Sequence, residues 1–234
     1  MMDDPAGREV LCLAGGGRQQ SAAFALLGAS VTVLDLCDTQ LARDREAAEH
    51  YEKNVRTIQG DMRDLSCFGS GSFDLVWHAH SLNFVPDADV VFGQVRRVLR
   101  SRGQYRMNCW NPFAHGLDQD SWNGAGYVVI HPYVEGREID TQPYWDVAPW
   151  DRSEPGSEEP KKPQESLPTV RIRGPREFRH TLGTLVNGLI RRGFVLEGLW
   201  EQDAGSLDAR PGGWDHFKAY APPWLTIWAR LAGD

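Results

Sequence analysis

Along the first half of the chain, short apolar runs alternate with stretches whose apolar residues recur at helical spacing. Residues 10–13 form an apolar run that stops at Gly15-Gly16-Gly17. Residues 19–27 read as a helix closed by Gly28, the residue type that most easily takes the left-handed conformation ending many helices. Residues 30–34 are a second, β-branched run. Asp38 or Thr39 is placed to cap a helix reaching about Tyr51, with Leu41, Arg45 and Ala48 at helical spacing. Residues 55–59 and 73–77 read as third and fourth strands. Pro86-Asp87 opens a helix with Val91, Val95 and Val98 on one face and Arg102-Gly103 at its end, and 104–109 is a fifth strand. Apolar strands alternating with covering helices predict an α/β fold with a parallel sheet.

The rhythm breaks between Asn111 and about Pro175. This insertion carries Trp122, Tyr127, Tyr133 and Trp145, with a hairpin expected around Glu135-Gly136. Its later part, 148–168, is rich in Pro, Glu and Ser, a composition that buries little and predicts a mobile loop. Regularity returns at Glu177, where Phe178, Leu182, Leu185, Val186 and Leu189 share one face of a helix that Gly193 terminates. Residues 194–199 and 224–230 are sixth and seventh strands. The link from Trp200 to Pro223 shows no helical period, so the last two strands should pair antiparallel. The 234 residues read as a single domain, with 111–175 as an inserted substrate cover.

Composition narrows the class. Hydrophobic residues at 41% and charged residues at 24% are ordinary for a globular chain. A net charge of −7 gives no electrostatic case for a nucleic-acid partner. No apolar run approaches the roughly eighteen residues of a membrane span, and the polar opening residues do not form a signal peptide. Cys12, Cys37, Cys67 and Cys109 lack the paired spacing of a zinc site. They read as reduced, in a cytoplasmic protein.

The chemistry concentrates at strand ends. A strand entering a glycine-rich turn and then a helix brings bare backbone close to a ligand, here at Ala14, Gly15, Gly16 and Gly17. Asp35 lies nineteen residues after Gly16, at the tip of the second strand, where a carboxylate accepts the hydroxyl hydrogens of a ribose. Leu36 and Gln40 follow it and complete the expected cofactor wall. After the third strand, Gly60-Asp61-Met62 offers a carboxylate for an adenine amino group and a side chain for the ring edge. A tight turn with a surface Asp is the bland alternative.

Four segments together resemble the successive motifs of class I S-adenosylmethionine-dependent methyltransferases, in their small-molecule "type 11" group. They are VLCLAGGGRQQSAAFALLGASVTVLDLC, TIQGDMRDL, SFDLVWHAHSLNFVPD and VRRVLRSRGQYRMNCWNP. The likeness continues in EFRHTLGTLVNGLIRRGFVLEGLWE and PPWLTIWARL. It implies a Rossmann-like seven-stranded sheet with an antiparallel last strand, S-adenosylmethionine as cofactor and in-line transfer of its methyl group to a small-molecule acceptor. The first motif departs from the family pattern. Cys12 stands where an acidic residue is usual, and the three alternating glycines fall on Ala14, Gly16 and Arg18. The resemblance also implies that the tip of the fourth strand faces the transferable methyl. His78 is then expected to offer its backbone carbonyl with its ring partly packed, and His80 to face the acceptor as base or orienter. His180 is a second catalytic candidate from the late helix. Trp110, Trp122, Tyr127, Tyr133 and Trp145 are expected to wall an aromatic pocket, or alternatively to form a satellite core or a homodimer contact. Two other functions fit parts of the pattern: an NAD(P)-dependent oxidoreductase, and a catalytically silent S-adenosylmethionine-binding protein.

Overall fold

A computed structural model describes residues 2–15, 17, 19–139, 144–147, 170–202 and 205–233. The expectations for Gly16, Arg18, the 148–168 segment and the Trp145 side chain lie outside the described residues. The elements follow in chain order: β1 (Glu9–Leu13), α1 (Gln19–Leu26), β2 (Ser30–Asp35), α2 (Asp38–His50), β3 (Val55–Gln59), β4 (Phe73–His78), α3 (Ala88–Val98) and β5 (Leu99–Trp110). After them come β6 (Glu138–Ile139), β7 (Tyr144–Val147), β8 (Val170–Arg173), β9 (Glu177–Phe178), α4 (Leu182–Arg191), β10 (Phe194–Gln202), α5 (Trp214–Tyr220) and β11 (Trp224–Leu231).

Seven strands form one sheet in the order β10-β11-β5-β4-β1-β2-β3. β1 to β5 run parallel, and β11 lies between β5 and β10, antiparallel to both. The fold class is therefore the one expected. Alternation along buried β1 sends Leu11 and Leu13 to the core beneath α3 and α4, and Val10 and Cys12 to the core beneath α1 and α2. The strand order reverses between β1 and β4, which opens a crevice at the carboxyl edge of the sheet.

Several boundaries differ from the sequence reading. The first residue of α2 is Asp38 itself, so neither Asp38 nor Thr39 caps it. The cap position is Cys37, which makes no side-chain cap bond. Its backbone N–H instead donates to Asp35 Oδ1 at 2.9 Å. α3 stops at Val98 rather than at Arg102-Gly103, because Leu99 is already extended and pairs with Phe73. Arg102, at φ 65°, and Gly103 instead form an irregularity within β5, where a Cβ on Gly103 would stand 2.9 Å from Arg100 O. Glu135-Gly136 is a turn, but β6 after it pairs with β9 across the insertion and forms no hairpin with the preceding segment. Thr181 caps α4, its hydroxyl accepting from Thr184 N. α5 occupies the link expected to lack a helix. At seven residues it is too short to show a period. Its Phe217, with the following Ala221, packs on Ala114 and Tyr127 of the insertion, and β10 and β11 pair antiparallel despite the intervening helix.

Candidate functional site

The loops after β1, β2 and β3 meet at the carboxyl edge. Ala14 N donates to Leu34 O at 2.8 Å and Gly60 N to Asp35 O at 3.0 Å, so backbone bonds hold the three tips side by side. Ala14 has φ 47° and Gly17 φ 93°. A Cβ on Gly17 would lie 2.8 Å from Gln40 Oε1 and 3.3 Å from Arg43 Cβ, so glycine is required there by the close approach of α2. Gln40 Oε1 also accepts from Arg43 Nη1 at 3.1 Å. Asp35 is buried beside Leu36, a residue that is 69% exposed. Asp61 is gripped by the Arg63 guanidinium, with Nη2 2.5 Å from Oδ2, and this partner holds its carboxyl below the usual range. The pair is half-exposed, so rearranging it to receive a ligand costs little. Met62 is not at an open ring-binding edge but buried in the core with Leu34 and Leu65. A buried carboxylate beside bare backbone and an exposed apolar side chain is a donor set that fits the nucleoside half of S-adenosylmethionine.

The next tip belongs to β4. His78 is fully buried, not partly packed. Its Nδ1 lies 2.8 Å from Tyr105 Oη and its Nε2 2.9 Å from Ser81 Oγ. Burial pushes its pKa down to about 3, so the ring is a neutral, satisfied core group. His80 follows at φ 49°, its backbone N–H donating to Asn108 O at 2.9 Å. Its ring meets Trp224 edge-on, with centroids 4.1 Å apart. Nδ1 of His80 is buried without a hydrogen-bond partner of normal geometry among the described residues. Burial lowers the pKa of the ring, against the opposing influence of Glu177 and the Asn108 side chain.

His80 lines a cavity of about 510 Å³ beyond the ends of β4 and β5. Trp110, Trp214, Trp224, Phe84 and Phe217 wall it, and His115, Glu177, Asp118 and Asp120 add polar edges. His115 stacks flat on Trp110, interplanar angle 4°, and its Nε2 lies 3.2 Å from Glu177 Oε2. Of the four described aromatics expected to wall a pocket (Trp110, Trp122, Tyr127 and Tyr133), Trp110 alone is among the residues lining this one. Trp122 and Tyr127 pack with His216 and Tyr220 into a satellite cluster against α5. Tyr133 accepts from Leu182 N at 2.8 Å and lies beneath Arg179.

His180 is not among the lining residues. Its ring is buried, with Nδ1 2.8 Å from Glu135 Oε1 and Nε2 3.2 Å from Leu82 O, so both nitrogens serve the packing of α4's entry. Sequence reasoning missed Trp224, Trp214, Phe84 and Glu177 as cavity residues. A signal for one of them was present. Antiparallel pairing of the last strand on β5 sets Trp224 directly opposite Trp110.

Residues 11–107 match the family described as a methyltransferase domain. An uncharacterized methyltransferase of Bacillus subtilis, YbaJ, is 33% identical over 201 residues, covering 85% of this chain and 70% of that protein. A ubiquinone biosynthesis O-methyltransferase of Xanthomonas oryzae is 30% identical over 132 residues, covering 54% of this chain and 52% of that protein. An S-adenosylmethionine-dependent methyltransferase structure from Mesorhizobium loti superposes with a TM-score of 0.70 at 23% identity, over 98% of this chain and 93% of that one. These likenesses do not favour a nicotinamide oxidoreductase or a silent binding protein. The sheet with its antiparallel β11, the tips that suit a nucleoside and these relatives converge: the chain belongs to the class I S-adenosylmethionine-dependent methyltransferase family.

Proposed function

We propose that the methyl acceptor is a small molecule of the cytoplasm, taken into the aromatic cavity beyond β4 and β5. One observation carries this reading. The cavity lies next to the β1/β4 crevice, and its volume of about 510 Å³ suits a metabolite better than a polymer. The net charge of −7 argues in the same direction, against a nucleic-acid acceptor. The Xanthomonas relative is named for O-methylation in ubiquinone biosynthesis. That name concerns a protein of which this chain spans about half, and the acceptor here is read from the cavity.

In this reading Asp35 receives the ribose hydroxyls, the backbone at Ala14–Gly17 and the side chains of Leu36 and Gln40 line the cofactor, and Asp61 stands by the adenine, with Met62 packed in the core beneath it. The His78 carbonyl faces the amino-acid end. When bound, S-adenosylmethionine supplies an electrophilic methyl group already activated on a sulfonium. The protein's own task is then to align the acceptor and exclude water. His80, neutral at pH 7 and at the junction of the two regions, orients the acceptor or takes its proton.

The test is a calorimetric titration with S-adenosylhomocysteine, followed by incubation with S-adenosylmethionine and a metabolite panel. Mass spectrometry should find an acceptor gaining one methyl group. His80→Ala should lower turnover roughly 100-fold, in the range of general-base effects, with S-adenosylhomocysteine affinity kept. Transfer confined to RNA or protein would overturn the small-molecule reading.

A further inference from the structure

The polar groups around the cavity are unequal in sign. Asp118, Asp120 and Glu177 contribute carboxylates, whereas no Lys or Arg is among the lining residues that the structure describes. Asp118 Oδ1 accepts from Asp120 N at 2.9 Å, and neither aspartate meets a cationic side chain among the described residues. Glu177 engages His115 through Oε2 alone. Arg179, the buried cation closest in sequence to Glu177, packs directly behind Gly116 and over the Tyr133 ring, 5.4 Å from its centroid. Arg179 is not among the described lining residues, although its charge acts on His115.

The same wall is aromatic. Trp110 and Trp224 lie 4.6 Å apart by ring centroid, with His80 against Trp224. Indole faces carry negative potential and attract cations, an attraction that grows as the site is desolvated. His115 is 4% exposed, and its Nδ1 has no partner among the described residues. With Nε2–H donating to Glu177, that nitrogen carries a lone pair, an acceptor that a ligand N–H can satisfy. Aromatic faces, surplus carboxylates and a buried unpaired acceptor call for a ligand that is cationic and rich in N–H donors.

We propose that the acceptor is a cationic amine, bound as its ammonium between the tryptophan faces and Glu177 and methylated on that nitrogen. This rests on the reading of the cavity as the acceptor site. The ammonium first gives one proton to the His80 ring. The freed lone pair then forms the N–C bond while the methyl's bond to the donor sulphur breaks, its electron pair staying on sulphur. The methylated amine carries the positive charge, and His80 returns its proton to solvent.

The experiment uses tyramine as the probe, with tyrosol as its neutral analogue and 4-hydroxyphenylacetate as its anionic one. Binding is read by quenching of tryptophan fluorescence in the full chain saturated with S-adenosylhomocysteine. Tyramine should bind at least about tenfold more tightly than tyrosol, a difference of about 1.4 kcal/mol, and the carboxylate should bind weakest. Glu177→Gln and the pair Asp118→Asn with Asp120→Asn should each reduce that preference at least about threefold while tyrosol affinity stays unchanged. With S-adenosylmethionine, the methyl should be found on the tyramine nitrogen by fragmentation of the product. Equal or reversed affinities, no binding of tyramine, or methylation on its phenol oxygen would each refute an amine acceptor. S-Adenosylhomocysteine binding is the separate readout. If it persists while amine preference fails, only this inference falls; if transfer to every small molecule also fails, the acceptor-site reading falls with it.

Discussion

At the scale of single residues, identical side chains take different roles according to what surrounds them. His78 and His80 stand two positions apart. The first is sealed between Tyr105 and Ser81, and the second presents its ring to a cavity. Their neighbour in chemistry, His115, is also held neutral, chiefly by burial. A histidine whose folded pKa lies below its unfolded value of about 6.5 stabilises the fold while neutral. Above pH 6.5 that contribution is fully present. It is lost as pH falls toward the folded value, because the unfolded chain takes up the proton more readily. For His78 the window runs from about 6.5 down to about 3, with a slope of up to about 1.4 kcal/mol per pH unit. Urea midpoints measured from pH 8 to pH 4 should therefore decline below pH 6.5, and His78→Gln should flatten the decline. An acid slope unchanged in that variant would show that His78 is not the group responsible.

At the scale of elements, the helices beneath β5 depend on one small residue. Gly188 of α4 faces α3, and a Cβ there would lie 3.0 Å from Phe92 Cδ2 and 3.2 Å from Asp89 Oδ1. Arg192 at the end of α4 reaches back to Asp89 Oδ2 at 2.7 Å, so the helices are joined by an ion pair as well as by packing. Gly188→Val should force them apart and destabilise the fold by about 1–3 kcal/mol, the usual cost of overfilling a packed contact. Chemical denaturation would measure it, and a stability within error of the parent would show that the contact yields freely. The boundaries of these elements were only partly legible in the sequence. Apolar periodicity located α3 but not its end, because the step from Val98 into an extended Leu99 is fixed by pairing with Phe73. α5 escaped notice because its position is set by contacts with the insertion rather than by its own pattern.

At the scale of the whole molecule, the sheet divides the work. Tips of β1, β2 and β3 gather the groups that suit the cofactor, and tips of β4, β5 and β11 wall the cavity. The two halves should respond separately to substitution. Asp35→Ala should weaken S-adenosylhomocysteine by about 1.5–3 kcal/mol, the value of hydrogen bonds to a charged group. Trp224→Ala should leave that affinity within about twofold, under 0.5 kcal/mol, while raising KM for the acceptor. Calorimetry and initial-rate kinetics on both variants measure the division, and a large loss of cofactor affinity in Trp224→Ala would contradict it.

The sequence by itself determined the alternation of strands and helices and the glycine turn followed by Asp35. Each is written in local spacing, and local spacing follows from backbone geometry. The cavity was decided by the tertiary structure. Trp110, Trp224 and Glu177 are separated by dozens of residues and share no period. Trp110 and Trp224 meet because β11 inserts antiparallel beside β5, and Glu177 joins them through its contact with His115 on the turn that follows β5. His180 shows the converse. Its sequence position allowed a catalytic role, but packing gave both its nitrogens to Glu135 and Leu82. Chain order fixes which residues are present, whereas long-range pairing fixes which of them share a desolvated space, and it is there that charge and aromatic faces select a ligand.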